Sequence, residues 1–144
     1  MDIEIKIIKE AEANELVALY RGAGWWDEKT DDISFLDSLI KNSYAFAGVF
    51  YNRRMIGMGR AISDGVSDAY IQDVTVLPEY RNRGIGGMII KSLVKHLLDN
   101  DMKWIGLIGE PGTKSFYERL GFREMKEYIP MLLKERTSDE TENK

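Results

Sequence analysis

The segment from Tyr70 to Leu98 constrains the fold of this chain more than any other part of the sequence. It begins with an apolar, β-branched run that stops at Pro78, and continues through the basic, glycine-rich turn R-N-R-G-I-G-G. After the turn, apolar residues recur every three or four positions. The first pattern is typical of a buried strand and the last of a helix. The sequence therefore predicts a strand, a turn and a helix in direct succession.

The turn is suited to binding an anion. The N–H groups of a first helical turn have no intrahelical partners, and the helix dipole adds partial positive charge there. Glycines allow a ligand to approach the backbone, and Arg81 and Arg83 offer forked donors that match phosphate oxygens. Solvated arginines at an ordinary turn are the alternative. Because the strand, the helix and both arginines agree, we expect phosphate binding here.

Two known phosphate-binding loops can be compared with this turn. The P-loop requires Gly-Lys-Ser or Gly-Lys-Thr, and neither occurs in the sequence. The dinucleotide fingerprint G-x-G-x-x-G fits in part, because Gly84 and Gly86 match while Ile89 stands where the third glycine is required. A Rossmann-type nucleotide site, with Glu110 as the ribose-binding acid, therefore stays as an alternative.

The same segment resembles the acetyl-CoA motif of the GNAT N-acetyltransferase superfamily. The family pattern, Arg or Gln, then x-x-Gly-x, then Gly or Ala, is matched by Arg81, Gly84 and Gly86. Downstream, S-F-Y-E-R-L-G-F at 115–122 is similar to a recurrent F-Y-x-x-x-G-F segment of the family. The resemblance implies an α+β fold, a mixed sheet of about seven strands flanked by about four helices. It also implies an acetyl-CoA-dependent N-acetyltransferase.

The resemblance implies where acetyl-CoA binds. Backbone groups of Val74, Thr75 and Val76 are expected to pair with the pantetheine arm as if it were an added strand. The rest of the expected cofactor-binding set surrounds the pyrophosphate and comprises Arg81, Asn82, Arg83, Gly84, Ile85, Gly86 and Gly87.

Two residues are implied to carry the acid–base chemistry. Tyr117 matches the family tyrosine that protonates the CoA thiolate, and a phenol with its usual pKa of about 10 is protonated at neutral pH. Asp73 precedes the pantetheine-binding stretch, where similar enzymes often have an acid that takes the amine proton, and alternation places it opposite Val74. A structural carboxylate is the alternative for Asp73. Glu79 and Glu110 are further candidates for the base, and Glu110 stands where many relatives have Asn.

Trp25 and Trp26 form an unusual dipeptide in a predicted loop. The resemblance places this loop near the acceptor site, so the two rings are expected to line a pocket for an aromatic or alkyl amine. Acidic residues follow in the segment 27–32 and favour a cationic acceptor. The alternative is that one tryptophan covers the core and the acids are solvated.

Composition limits the other functions. The net charge of -4 argues against a general nucleic-acid binder, and the absence of cysteine excludes a thiolate nucleophile. No His or carboxylate cluster has metal-ligand spacing, and no apolar run approaches the ~20 residues of a membrane helix. With no signal peptide recognised at the start, we expect a cytoplasmic protein. Relatives often dimerise through C-terminal strands, so a homodimer is expected; a non-catalytic acyl-CoA-binding sensor or partner module is the second functional hypothesis.

The periodicities predict one domain over 1–134 and a disordered segment over 135–144. Only one strand-helix-strand crossover is evident, which favours a mixed sheet over a doubly wound one. Besides the central strand and helix, strands are predicted at 3–7, 44–51, 55–62, 104–108, 122–125 and 128–133, and helices at 11–21, 33–40 and 113–120.

Overall fold

The computed structural model describes residues 1–134, and the segment predicted to be disordered, 135–144, lies outside the described residues. Contacts along the chain separate a compact unit of Met1–Gly109 from a second unit that begins at Glu110. Within the described residues, every helix is too short or too polar to cross a membrane.

The first unit is built on one five-stranded mixed sheet. Neighbouring strands are antiparallel through the first four, and the fifth is parallel to the fourth. The sheet order follows the chain order, which is β1 (Ile3–Ile7), β2 (Ala45–Tyr51), β3 (Arg54–Ile62), β4 (Asp68–Val76) and β5 (Trp104–Leu107). The antiparallel majority confirms the predicted α+β class and does not match a doubly wound dinucleotide fold.

Three helices cover the two faces of this sheet: α1 (Ala13–Gly22), α2 (Ile33–Asn42) and α3 (Ile85–Asp99). A one-turn 3-10 helix, Pro78–Tyr80, links β4 to the turn before α3. The parallel pairing of β4 with β5 requires a crossover, and α3 provides it. The carboxylate of Asp32 accepts the N–H groups of Ser34 and Phe35 and so caps α2.

The predicted apolar row of α3 forms the centre of the core. Its side chains at 85, 89, 93 and 97 are at most 1% exposed. Gly59 of β3 makes this close packing possible, because a Cβ atom there would lie 2.6 Å from Cγ2 of Ile89. On the other face of the sheet, α1 buries Leu16, Leu19 and Tyr20.

The second unit contains one helix, α4 (Lys114–Arg119), in its described part. The two strands predicted at 122–125 and 128–133 are wrong, since the backbone there has no strand pairing. A strand exists only where a neighbour completes its hydrogen-bond ladder, and Pro130 removes one donor from that ladder. The apolar side chains that suggested the strands are instead exposed; Met131 is 90% exposed and Leu132 89%.

Candidate active site

One edge of β4 is open in the first unit. β5 pairs with β4 only as far as Ile71 opposite Leu107, whereas β3 continues to Val76. Leu77 donates its N–H to the carbonyl of Ile56. By alternation, the N–H and C=O groups of Val74 and Val76 therefore point away from β3, toward the open edge. Thr75 lies opposite Met58 and directs its backbone groups toward β3.

A β-bulge interrupts β4 just before this open edge. Thr75 pairs with Met58 and Gln72 with Arg60, so two residues, Asp73 and Val74, face the single residue between those partners. Asp73 takes the left-handed conformation, with φ of 55°. An aspartate tolerates this region better than most residues do. The bulge turns the Asp73 side chain to the face that α1 covers, so the prediction that it lies opposite Val74 agrees with the structure.

The Asp73 carboxylate is held by two donors. The Tyr20 hydroxyl donates to Oδ2 of Asp73 at 2.9 Å, and Nε of Arg60 donates to the same oxygen at 2.8 Å. Arg60 also contacts Ser43 Oγ at 3.4 Å and Gln72 Oε1 at 3.3 Å. The Asp73 side chain remains 23% exposed and that of Arg60 16%. The result is a half-buried polar cluster at the bulge.

Tyr20 serves this cluster as a donor. Burial raises the pKa of the Tyr20 phenol, and the Asp73 charge raises it further, while Arg60 lowers it. The phenol therefore keeps its proton well above neutral pH. The edge of the Trp25 ring packs against the Tyr20 ring, with centroids 5.9 Å apart. Trp25 thus supports the cluster from the loop side.

The two arginines of the predicted phosphate turn have different surroundings. Arg81 donates to the carbonyl oxygens of Val76, at 2.8 Å, and Gly22, at 3.2 Å. It therefore ties the end of β4 to the end of α1. Arg83 is exposed and lies 5.6 Å from the Tyr80 ring centroid. Its guanidinium makes only long contacts, 3.5 Å to the Glu79 carbonyl and 4.0 Å to the Met1 sulfur. Of the pair, Arg83 has its guanidinium available to an incoming anion.

The backbone of the turn leads directly into the N-terminus of α3. Asn82 and Gly84 both have positive φ, 63° and 81° respectively. A Cβ on Gly84 would meet open space, so glycine is required there by backbone conformation. Residues 81–84 are exposed, and the first turn of α3 follows directly with Ile85, Gly86 and Gly87. Successive N–H groups in such a turn form an anion-binding concavity.

Tyr117 lies on α4 in the second unit, between two aromatic neighbours. Its ring centroid is 4.9 Å from that of Phe116 and 5.9 Å from that of Phe122. Burial raises the pKa of the Tyr117 phenol, and the charge of Glu110 raises it further. Both effects preserve the protonated form that an acid needs.

Trp26 lines a surface cavity of about 620 Å³ in the first unit. The other lining residues come from α1, the following loop and the start of α2, and include Val17, Arg21, Glu28, Asp31 and Asp32. The carboxylates here have local partners: Glu28 pairs with Arg21 at 2.6 Å, and Asp31 accepts the N–H of Asp27. The ion pair with Arg21 lowers the pKa of Glu28. Trp26 therefore faces a negatively charged cavity.

Sequence reasoning missed Tyr20 and Arg60 as site residues. Tyr20 follows Leu16 at helical spacing, which is typical of a buried core residue. The position of Arg60 in its strand is typical of a side chain that faces solvent. An arginine flanked by buried strand residues was the available signal, because a half-buried guanidinium needs an anion. Glu79, a further candidate base, instead forms an exposed ion pair with Arg54 at 3.7 Å. Within residues 1–134, no group of three His, Cys, Asp or Glu side chains is arranged to hold a metal ion.

Comparison with known proteins supports the same assignment of fold. A soybean (Glycine max) protein, histone acetyltransferase TAP1, is 34% identical over 131 residues, which are 83% of this chain and 55% of that protein. An uncharacterized N-acetyltransferase, ycf52, of Gracilaria tenuistipitata var. liui is 36% identical over 87 residues, 58% of this chain and 48% of that protein. This chain therefore spans about half the length of these curated relatives.

A solved structure has the same fold. AAC(6')-Iy, in complex with the bisubstrate analogue CoA-S-monomethyl-acetylneamine, aligns with a TM-score of 0.74 at 17% identity, over 95% of this chain and all of that one. The model of the acetyltransferase (GNAT) family matches residues 10–122, which include β4, the turn, α3 and α4. This chain belongs to the GNAT acetyltransferase family.

Proposed function

We propose that this protein is an acetyl-CoA-dependent N-acetyltransferase. It transfers the acetyl group to a primary amine of a small molecule or peptide by direct attack in a ternary complex. The observation that carries the proposal is the continuity of the open β4 edge with the exposed turn before α3. A strand edge offers hydrogen bonds to the amides of a pantetheine arm, and a helix N-terminus offers donors to a pyrophosphate. The CoA analogue bound to AAC(6')-Iy supports acyl-CoA binding by this fold.

The donor site divides between the edge and the turn. We assign the pantetheine contacts to the outward backbone groups of Val74 and Val76, because Thr75 uses its own toward β3. The Val76 carbonyl already accepts from Arg81, so its N–H is the group that stays available. Phosphate binding falls to Arg83 and to the N–H groups between Asn82 and Gly87. Arg81 contributes its charge and holds the turn in shape.

In the proposed reaction, the acceptor nitrogen loses two protons. One proton passes from the ammonium of the acceptor to the Asp73 carboxylate and then to solvent. The nitrogen lone pair forms a bond to the thioester carbonyl carbon, the C–S bond breaks, and the electron pair stays on sulfur. The second N–H proton leaves to solvent, and Tyr117 protonates the thiolate and regains its proton from solvent. The products are the amide, CoA and one released proton, and no cysteine is needed.

The proposed acceptor site includes the Trp26 cavity. The Trp26 ring and the negatively charged lining of this cavity favour an acceptor that is a cationic amine with an apolar portion. Trp25 is assigned a supporting role, since its ring packs on Tyr20. Local hydrogen bonds lower the pKa values of Glu28 and Asp32, so these two carboxylates stay charged and attract a cationic acceptor to the cavity.

A homodimer in the cytoplasm is also part of the proposal. The support for dimerisation is the exposed apolar segment 128–133, in which Tyr128, Ile129 and Leu133 are each at least 74% exposed. Exposed apolar patches of this kind commonly mark protein interfaces. Sedimentation of the protein and of a Met131→Glu, Leu132→Glu variant checks it: the protein should sediment as a dimer and the variant as a monomer.

Calorimetric titration with acetyl-CoA, CoA and NAD, followed by a thiol-release assay on a panel of amines, tests the proposed function. We expect binding of both CoA species, no binding of NAD, and turnover with at least one alkyl amine. Binding without turnover across the panel would favour the acyl-CoA sensor instead. No binding of either CoA species would contradict the donor site.

A further inference from the structure

The Asp73 carboxylate uses only one of its two oxygens within the first unit. Tyr20 and Arg60 both donate to Oδ2, and no group of residues 1–109 donates to Oδ1. A carboxylate has about four lone-pair positions, so Oδ1 retains its full accepting capacity. The side chain is 23% exposed, so part of the carboxylate is accessible to a ligand.

The two donors are themselves fixed. Tyr20 is buried, with 4% of its surface exposed, and Trp25 packs against its ring. The two other guanidinium nitrogens of Arg60 donate to Ser43 and Gln72, and these contacts fix its orientation. The Asp73 backbone is held in its left-handed conformation by the bulge. The orientation of the carboxylate is therefore determined by three separate elements, α1, β3 and β4.

We infer that Tyr20 and Arg60 are positioning residues that hold Asp73 so that its Oδ1 binds the ammonium group of the acceptor amine. The inference rests on the proposed function and adds an acceptor anchor to it. A preoriented carboxylate loses little conformational entropy when it binds the ammonium group. The bound nitrogen is then held in position for attack. The Arg60 charge partly offsets that of Asp73, so orientation is the main contribution of Arg60.

Two variants remove the positioning without changing the charge of the cluster. Tyr20→Phe deletes one donor and keeps the ring. Arg60→Lys keeps the positive charge but loses the fork that reaches Asp73, Ser43 and Gln72 together. Tyr44→Phe and Arg53→Lys are the matched controls, because Arg53 is exposed in the β2–β3 turn and Tyr44 lies just before β2.

The experiment compares an alkyl amine, which is an ammonium ion at neutral pH, with an arylamine, which is uncharged there. For the alkyl amine we expect Tyr20→Phe and Arg60→Lys each to lower kcat/KM by about tenfold. The KM for acetyl-CoA and kcat/KM for the arylamine should stay within about twofold of the unchanged protein. Asp73→Asn should show the same selectivity, and both controls should behave like the unchanged protein.

The arylamine rate also reports correct folding of each variant. Equal losses with both amines would mean that the cluster is merely structural and would overturn the inference. Unchanged alkyl-amine kinetics in both variants would overturn it as well, while leaving the proposed function in place. If the unchanged protein acetylates neither amine, the proposed function fails and the inference fails with it.

Discussion

The hydroxyl of Tyr20 donates a 2.9 Å hydrogen bond to the carboxylate of Asp73, joining residues 53 positions apart in the chain. One lies in α1 and the other at the β4 bulge, so the bond connects a helix to the strand edge proposed for acetyl-CoA. It places a buried phenol beside a negative charge. We therefore expect the stability of the protein to depend on the protonation of Tyr20.

The first prediction concerns alkaline pH. The folded-state pKa of Tyr20 is raised above its unfolded value of about 10, so its stabilising effect is complete below pH 10. Above that pH the unfolded chain loses the phenol proton while the folded chain keeps it. The free energy of unfolding should therefore fall by about 1.4 kcal/mol per pH unit from this residue. Urea denaturation at pH 9 and pH 11 should show a smaller decrease for Tyr20→Phe than for the unchanged protein.

Tyr44→Phe is the control for this measurement and should retain the full decrease. Identical decreases for the two variants would show that Tyr20 ionises as readily in the folded chain as in the unfolded one.

A second prediction concerns packing behind the strand edge. In Gly59→Ala the new methyl group would lie 2.6 Å from Ile89 Cγ2 and 3.1 Å from Val74 Cγ2. Both are branched side chains with little freedom to move, so the variant should lose about 1–3 kcal/mol of unfolding free energy. Gly57→Ala is the matched control on the same strand, because its methyl group would meet the terminal Cδ1 of Ile89 at 3.2 Å. Denaturant unfolding should rank Gly59→Ala clearly below Gly57→Ala, and the reverse order would refute the packing argument.

A third prediction separates the two arginines of the turn. Arg83→Ala should weaken acetyl-CoA binding by about tenfold or more with little change in Tm, because Arg83 is exposed and a hydrogen bond to a charged group contributes about 1.5–3 kcal/mol. Arg81→Ala should instead lower Tm, because the carbonyls of Val76 and Gly22 lose their donor. Calorimetry and thermal unfolding of both variants check this. Equal effects of the two substitutions on both quantities would contradict the division of roles.

The elements that the sequence predicted well are those whose signals are local. The spacing of apolar residues that predicted α3 depends only on neighbours within about two turns of helix. The open edge of β4 was predicted only through family resemblance, because the length of β5 sets it. The strands predicted at 122–125 and 128–133 failed for a related reason, since alternation indicates a preference for strand but does not supply a pairing partner.

The polar cluster illustrates the same limit at the site. The sequence pointed to Asp73 but not to its partners, which are 13 and 53 positions away. The bulge that turns Asp73 toward α1 is a property of the pairing between β3 and β4. A glycine with positive φ would have been a sequence signal for the bulge, but neither strand has one. Asp73 itself takes the left-handed conformation. The sequence could therefore indicate Asp73 as a single residue but not the cluster that it forms with Tyr20 and Arg60.

The last prediction concerns Glu110, whose charge acts on Tyr117. Burial raises the pKa of Tyr117 most, and the Glu110 charge raises it further. Glu110→Gln removes that charge and should lower the pKa of Tyr117. If Tyr117 is the acid, kcat is lost as pH rises through its pKa, so the alkaline decline of kcat should begin at lower pH in this variant.

The pH profile of kcat for the unchanged protein, Glu110→Gln, Glu118→Gln and Tyr117→Phe completes the test. Glu118 is an exposed residue of α4 and is not among the groups that shift the Tyr117 pKa, so its variant should retain the original profile. Tyr117→Phe should have a much lower kcat and no decline that follows a phenol. An alkaline limb that stays in place in Glu110→Gln, or persists in Tyr117→Phe, would assign that limb to another group and remove Tyr117 from the acid role.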